Sequence, residues 1–199
     1  MSTIYVFRHA ESEHNVSKDF SHRDPPLTPL GLSQAAAIPK SFPHSESITT
    51  ILTSPLTRTV QTTLAAFSHI LHTGAGARLV VDPNLQERSA LPCDTGSDRG
   101  ALEQSFPGLD WAVLGEGAWF VKEGAYAADD AAVAARAGLV RRRLKEIVDQ
   151  QAAGDVVVVT HGVFMKFLVE DETIDLPKAG WKAFKIGQED GDVKLIPVD

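Results

Sequence analysis

Short apolar runs alternate along this chain with longer stretches of helical spacing. Thr3-Ile4-Tyr5-Val6-Phe7 is a β-branched and aromatic run that stops at Arg8-His9, and it predicts a buried strand. Thr28-Pro29 followed by Leu30, Leu32, Ala35, Ala36 and Ile38 has the form of an N-cap, a first-turn proline and an apolar face, so a helix is expected to end at Pro39 or soon after. Ile48 to Thr53 predicts a second strand, and Leu56, Val60, Leu64, Phe67 and Leu71 mark a helix closed by Gly74-Ala75-Gly76. Arg78 to Val81 predicts a third strand. From Asn84 to Tyr126 polarity is mixed and no period emerges, despite Trp111 and Trp119.

The C-terminal part is more regular. An alanine-rich helix is expected from about Asp129 to Ala153, with Gly154 ending it. Asp155-Val156-Val157-Val158-Val159-Thr160 is the most apolar strand, and its unbroken valines predict burial on both faces of a parallel sheet. Val163 to Val169 predicts a helix directly after His161-Gly162, and Trp181–Ile186 with Val193–Val198 predict an antiparallel hairpin turning at 188–191. Strands alternating with helices give an α/β fold, a three-layer α/β/α sandwich with a mainly parallel central sheet. No repeat or linker divides the chain, so residues 1–199 are expected to form a single domain.

Composition narrows the functional classes. The chain has 43% hydrophobic and 23% charged residues, within the ordinary globular range, and at this length it can bury a core without a disulfide or metal staple. Cys93 is the single cysteine, and the first residues show no basic segment followed by an apolar run, so a soluble cytoplasmic setting is expected. A net charge of −7 argues against nucleic acid or an anionic membrane as partner. Oligomeric state is not readable from these features.

Ligands of an open parallel sheet bind beyond the carboxyl ends of its strands. Those ends carry Arg8-His9, Ser54-Pro55-Leu56-Thr57-Arg58, Leu85-Gln86-Glu87 and His161-Gly162. Two arginines, two histidines and a carboxylate on one rim suit phosphoryl transfer, where fixed cations stabilise charge spread over three oxygens. A neutral imidazole can attack phosphorus, and a carboxylic acid can protonate the leaving oxygen. The cationic side chains leave no need for a metal or another cofactor.

Arg8-His9-Ala10-Glu11-Ser12-Glu13-His14-Asn15 resembles the Arg-His-Gly signature of the histidine phosphatase superfamily, the phosphoglycerate mutase-like proteins. Ser54 to Thr62, Leu85-Gln86-Glu87-Arg88 and Thr160-His161-Gly162 resemble its later blocks, in family order. The resemblance implies a phosphoglycerate mutase-like fold and hydrolysis of small phosphomonoesters. His9 would be the nucleophile and Glu87 the proton donor. Arg8, Arg58 and His161 would hold the phosphoryl oxygens, with Asn15 and Gly162 also at the phosphate. Ala10 departs from the family glycine, and a methyl group is expected to be tolerated there. Arg88 and Thr57 are expected to support the pocket. The alternatives are a phosphoglycerate mutase-type phosphotransferase and a catalytically idle module that binds a phospho-ligand. The partner is expected to be a small phosphorylated metabolite, selected by lid segments near 16–27 and 88–126.

Other features read as decoys. Asp94-Thr95-Gly96 has the letters of an aspartic protease but occurs once and lacks a preceding strand. Cys93 is expected to be buried or inert, and His14, His22, His44, His69 and His72 show no metal-ligand spacing. Arg141-Arg142-Arg143 and Lys145 are expected on a solvated helix face, and Trp111, Trp119 and Phe120 in packing.

Overall fold

The computed structural model describes residues 2–71 and 76–198. A six-stranded sheet runs through it, ordered β3-β2-β4-β1-β5-β6. Its strands are β1 (Ile4–Arg8), β2 (Ile48–Thr53), β3 (Arg78–Val81), β4 (Asp155–Thr160), β5 (Trp181–Glu189) and β6 (Asp192–Pro197). The first four are mutually parallel, and β5 and β6 join antiparallel beside β1. The helices are α1 (Glu13–Ser17), α2 (Pro29–Ser41), α3 (Thr57–Leu71), α4 (Arg99–Ser105), α5 (Asp130–Gln150) and α6 (Gly162–Val169).

Side-chain alternation in the strands builds the three layers. Ile4, Val6, Leu52, Val156 and Val158 meet Val133, Ala137, Val140 and Leu144 of α5 and Phe164, Met165 and Leu168 of α6 on one face. Tyr5, Phe7, Ile51, Val157 and Val159 meet Ile38 of α2 and Ala66 and Phe67 of α3 on the other. Apolar burial on both faces is what the unbroken valines of β4 require.

Helix α2 ends at Ser41, soon after Pro39 as expected, because a proline in the last turn still leaves the Phe42 N–H free to close on Ile38 O at 2.8 Å. Other boundaries differ from expectation. Helix α5 ends at Gln150, before the expected Ala153. Gly154 has φ +113° and is not a helix cap; a Cβ there would collide with the Thr49 side chain where β2 and β4 shift register. The hairpin turn is only Asp190-Gly191, both at positive φ, so β5 runs on to Glu189. Of the expected turn Gly74-Ala75-Gly76, residues 74 and 75 lie outside the described residues.

The aperiodic stretch 84–126 holds α4 and short 3-10 turns, and Leu102, Trp111, Leu114 and Trp119 pack with Leu56 and Val60 as a third apolar cluster. Trp111 and Trp119 are therefore packing residues, as expected. The basic run on α5 is only partly solvated. Arg141 donates to Phe167 O at 2.8 Å and pairs with Glu170 at 3.3 Å, and Arg143 pairs with Asp82 at 2.7 Å. Among the described residues no helix is long and apolar enough to cross a membrane.

Candidate active site

The register of the parallel strands brings the sequence blocks together. Arg8 lies opposite Thr160, and Thr53 lies opposite both Val159 and Val81, so β1 to β4 end at one level. The segments leaving those ends enclose a cavity of about 430 Å³ lined by Arg8, His9, Asn15, Arg58, Glu87 and Gly162. A hollow of about 470 Å³ beside α4 holds none of these residues.

His9 leaves β1 with its N–H on Thr160 O at 3.0 Å and its own carbonyl accepting Ala179 N–H at 3.3 Å. The residue is 3% exposed. Nδ1 lies 2.7 Å from Ala10 O, and because a carbonyl only accepts, the proton sits on Nδ1 and the lone pair on Nε2. Burial first, then the charges of Arg58 and Lys178, hold this imidazole well below the usual histidine range, so it is neutral at pH 7. Ala10 is fully buried among Leu27 and Ala35, where its methyl group is packed. The Ala10 N–H donates to Thr62 Oγ1 at 3.1 Å, and that hydroxyl donates to Arg58 O at 2.7 Å, tying this turn to α3.

Arg58, in the first turn of α3, is 1% exposed. Its Nε lies 3.3 Å from His9 Nε2, Nη1 donates to Cys93 O at 2.7 Å, and Nη2 pairs with Asp94 Oδ1 at 2.7 Å. Arg8 stands across the cavity, with Nη1 on Asp175 Oδ1 at 2.9 Å and on Leu176 O at 2.6 Å. Gly162 lets it stand there, since a Cβ at that position would come within 3.0 Å of the Arg8 guanidinium carbon.

His161 is buried behind His9, ring centroids 5.2 Å apart, and is the one predicted site residue that does not line the cavity. Its Nε2 meets Ser54 Oγ at 2.9 Å, while Nδ1 is buried with no partner among the described residues. Burial, followed by Arg58 and His9, holds it well below the usual range too. Asn15 belongs to α1, where its Oδ1 accepts the Ser12 N–H at 3.2 Å and its Nδ2 lies 3.0 Å from His14 Nε2.

Glu87 sits at the amino end of α6. Oε1 accepts the Phe164 N–H at 2.8 Å and the Arg88 N–H at 2.8 Å, and Oε2 accepts the Val163 N–H at 3.1 Å. Those bonds favour the carboxylate, yet burial and then the Asp94 charge outweigh them and raise its pKa above the ordinary glutamate value. The turn carrying it is fixed from behind. Arg136 of α5, 1% exposed and stacked 4.9 Å over Phe164, donates to Asn84 O at 2.7 Å and Gln86 O at 3.0 Å. Lys122 donates to Glu87 O at 2.8 Å, and burial followed by Arg136 pulls its ammonium down to about 8.

Sequence reasoning missed several residues that the fold brings to this cavity. His14, Asp94, Lys166 and Lys178 line it. Desolvation, then Arg58, lowers His14 to about 4, and burial followed by Arg8 lowers Lys178 to about 8. Ligand atoms of His14, Cys93 and Asp94 lie within 4.8 Å of one another, but Asp94 is paired with Arg58, His14 Nε2 faces Asn15, and burial raises the Cys93 thiol to about 11. Of the expected supports, Thr57 Oγ1 donates to Asp24 at 2.8 Å, and Arg88 turns outward to Asp130 at 2.6 Å.

A buried neutral histidine between two arginines, with a carboxyl at a helix start, is the arrangement of a phosphoryl-handling α/β protein, and comparison with known proteins agrees. Solved structures with this fold include a mycobacterial glucosyl-3-phosphoglycerate phosphatase complexed with VO3, matched with TM-score 0.64 at 20% identity over 100% of this chain and 98% of that one. Another is a mutant phosphoserine phosphatase of Entamoeba histolytica in complex with phosphoserine, at TM-score 0.60 and 18% identity over 98% and 95% of the two chains. The histidine phosphatase superfamily (branch 1) model matches residues 4–195, and the chain belongs to that family. A protein of Schizosaccharomyces pombe named probable phosphatase is 31% identical over 88% of this chain and 83% of its own. One of Photorhabdus laumondii named probable phosphoglycerate mutase is 36% identical over 44% of this chain and 38% of its own.

Proposed function

We propose that the protein hydrolyses small phosphomonoesters through a phosphohistidine on His9, without a metal ion. The observation that carries this reading is the bond from His9 Nδ1 to Ala10 O, which leaves the Nε2 lone pair beside Arg58 in a cavity that also holds Glu87. Nε2 attacks phosphorus as the ester P–O bond breaks, and Glu87 gives its proton to the departing oxygen. Water then attacks phosphorus, its proton returns to Glu87, and the P–N bond breaks to restore the imidazole and release phosphate. His161, buried behind His9, backs the nucleophile, while Arg8 and Arg58 bear on the phosphoryl oxygens, with Asn15 and the backbone at Gly162 at the rim. These cations supply the positive charge that a metal would otherwise provide.

The mouth of the cavity narrows the substrate class. Lys166 and Lys178 line it together with the apolar Phe20 and Leu91, the last two from the proposed lid segments 16–27 and 88–126. A short carbon body carrying a second anionic group, as in phosphoserine, fits such a mouth.

The test is phosphate release from a panel of phosphorylated metabolites with chelator present, beside His9→Ala. Release that survives the chelator, vanishes in the variant and is accompanied by an acid-labile phosphoprotein after rapid quenching is expected. A divalent-metal requirement or undiminished turnover in His9→Ala overturns the mechanism. With 3-phosphoglycerate as substrate, isomerisation faster than phosphate release would instead establish the mutase reading.

A further inference from the structure

The segment from Pro92 to Asp98 belongs to none of the four sequence blocks, yet Cys93 and Asp94 line the cavity and the rest of the segment is bonded to Arg23, Asp24 and the start of α4 beside it. Pro92 O accepts the Asp24 N–H at 3.3 Å, Cys93 O accepts Arg58 Nη1 at 2.7 Å, and Gly96 O accepts Arg23 Nε at 2.9 Å. Ser97 Oγ donates to Asp24 Oδ2 at 2.7 Å, and Asp98 caps α4 through the Ala101 N–H at 3.0 Å. A Cβ on Gly96 would collide with the Trp119 ring, which presses on the loop from behind. The backbone that carries Asp94 is thus held from both sides.

Asp94 is 8% exposed and its carboxylate is doubly bonded. Oδ1 takes Arg58 Nη2 at 2.7 Å, and Oδ2 takes Ser89 Oγ at 2.6 Å. With Cys93 O on Nη1 and the Nε–H facing His9 Nε2 at 3.3 Å, the guanidinium is clamped, leaving one hydrogen on each terminal nitrogen for the cavity. Holding the fork before substrate arrives removes the ordering cost from the binding step.

Asp94 and Glu87 line the same cavity, and Glu87 is otherwise faced mainly by positive groups. These are Arg58 from α3, Lys122 and Arg136 behind its turn, Lys178 from the loop before β5, and the N–H groups of Arg88, Val163 and Phe164. All of them draw the proton off the carboxyl. A negative charge clamped nearby works in the other sense, as it does wherever carboxylates share a site.

We propose that Asp94 is a positioning residue for phosphoryl transfer, fixing the Arg58 fork at the phosphoryl site and setting a fixed negative charge in the cavity that holds the Glu87 carboxyl. This rests on the role proposed above for Glu87. The protease-like letters Asp-Thr-Gly thereby acquire a use unrelated to proteolysis: the aspartate clamps, and the glycine lets the loop lie against Trp119.

The experiment compares wild type, Asp94→Asn and Asp94→Glu. In ¹³C-detected NMR the Glu87 carboxyl is expected to titrate about one pH unit lower in Asp94→Asn and to return toward the wild-type value in Asp94→Glu, which restores the charge. The basic limb of kcat/KM, where the acid loses its proton, is expected to move to lower pH by the same amount, and vanadate is expected to bind Asp94→Asn more weakly because the fork is loosened. A Glu87 titration unmoved in a folded Asp94→Asn overturns the proposal, and so does equal impairment of both variants. If Asp94→Asn does not fold, the same titration on Asp94→Ser, which also removes the charge but with a smaller side chain, decides, and an unmoved Glu87 there overturns the proposal. The NMR titration does not depend on turnover, so a wild type that releases no phosphate rejects the proposed function while the Glu87 titration still tests this inference.

Discussion

Nε of Arg58 lies 3.3 Å from Nε2 of His9, whose other ring nitrogen is bonded to Ala10 O at 2.7 Å. The proposed nucleophile is therefore aimed by one short contact and set beside a guanidinium by the other, and burial keeps it neutral. In a chain whose net charge is −7, this cavity concentrates positive charge, and focusing of that field draws in small anions.

Glu87→Gln should separate substrates by leaving group. Esters with alkyl leaving groups are expected to slow by about 10² to 10⁴, the usual worth of a general acid, whereas p-nitrophenyl phosphate, whose leaving group departs unaided, slows far less. Steady-state kinetics on both substrates measure this. An equal loss on both would assign Glu87 a binding role.

Gly162→Ala places a methyl group 3.0 Å from the Arg8 guanidinium carbon. Arg8 is then pushed away from the phosphoryl site, and vanadate affinity is expected to fall about tenfold, or ~1.4 kcal/mol. Isothermal titration reads the change directly, with an unaltered melting temperature as the sign that the effect is local.

Stability should fall on mild acidification. His9 and His161 have pKa values well below 6.5, and His14 lies near 4, so the unfolded chain binds protons that the folded chain refuses. The stabilisation is complete above about pH 6.5, the free-histidine value, and is lost progressively as pH drops toward the folded values. Glu87, shifted upward, contributes in the opposite sense. Denaturant midpoints at pH 7 and pH 5 are expected to differ in favour of pH 7, and His14→Gln should reduce the gap.

Lys178 has a pKa near 8, so its charge fades as pH rises through that value. For 3-phosphoglycerate the KM is expected to climb above pH 8, and Lys178→Met should remove that rise while leaving p-nitrophenyl phosphate, which has no second anionic group, much less affected. Parallel KM–pH curves for the two substrates would place Lys178 at the transferred phosphoryl group instead.

The parts of this structure legible in the sequence are those where one physical requirement dominates. Burial on both faces wrote β4 as unbroken valines, and strand termination at Arg8-His9 and Thr160-His161 marked the site edge. Helix α1 has five residues and no apolar period, and the turns of 84–126 are held by tertiary contacts such as Trp119 against Gly96, so neither leaves a local signal. Asp94 and Lys178 reach the cavity from loops whose paths depend on distant partners, and the basic run of α5 looked solvated because Asp82 and the α6 carbonyls are far away in sequence. A dense Pro-Cys-Asp-Thr-Gly-Ser turn soon after Glu87 was the available clue to Asp94.

The ties from Ala179 N–H to His9 O and from Arg8 N–H to Gly180 O join two parts of the chain that are made at very different times. The Arg8-His9 turn is synthesised about 170 residues ahead of the backbone that locks its position, which lies just ahead of β5. Until that loop and strand emerge, Arg8 and His9 have an open flank and β1 lacks one neighbour. A nascent chain thus carries this turn through about 170 residues of synthesis before its open flank is covered.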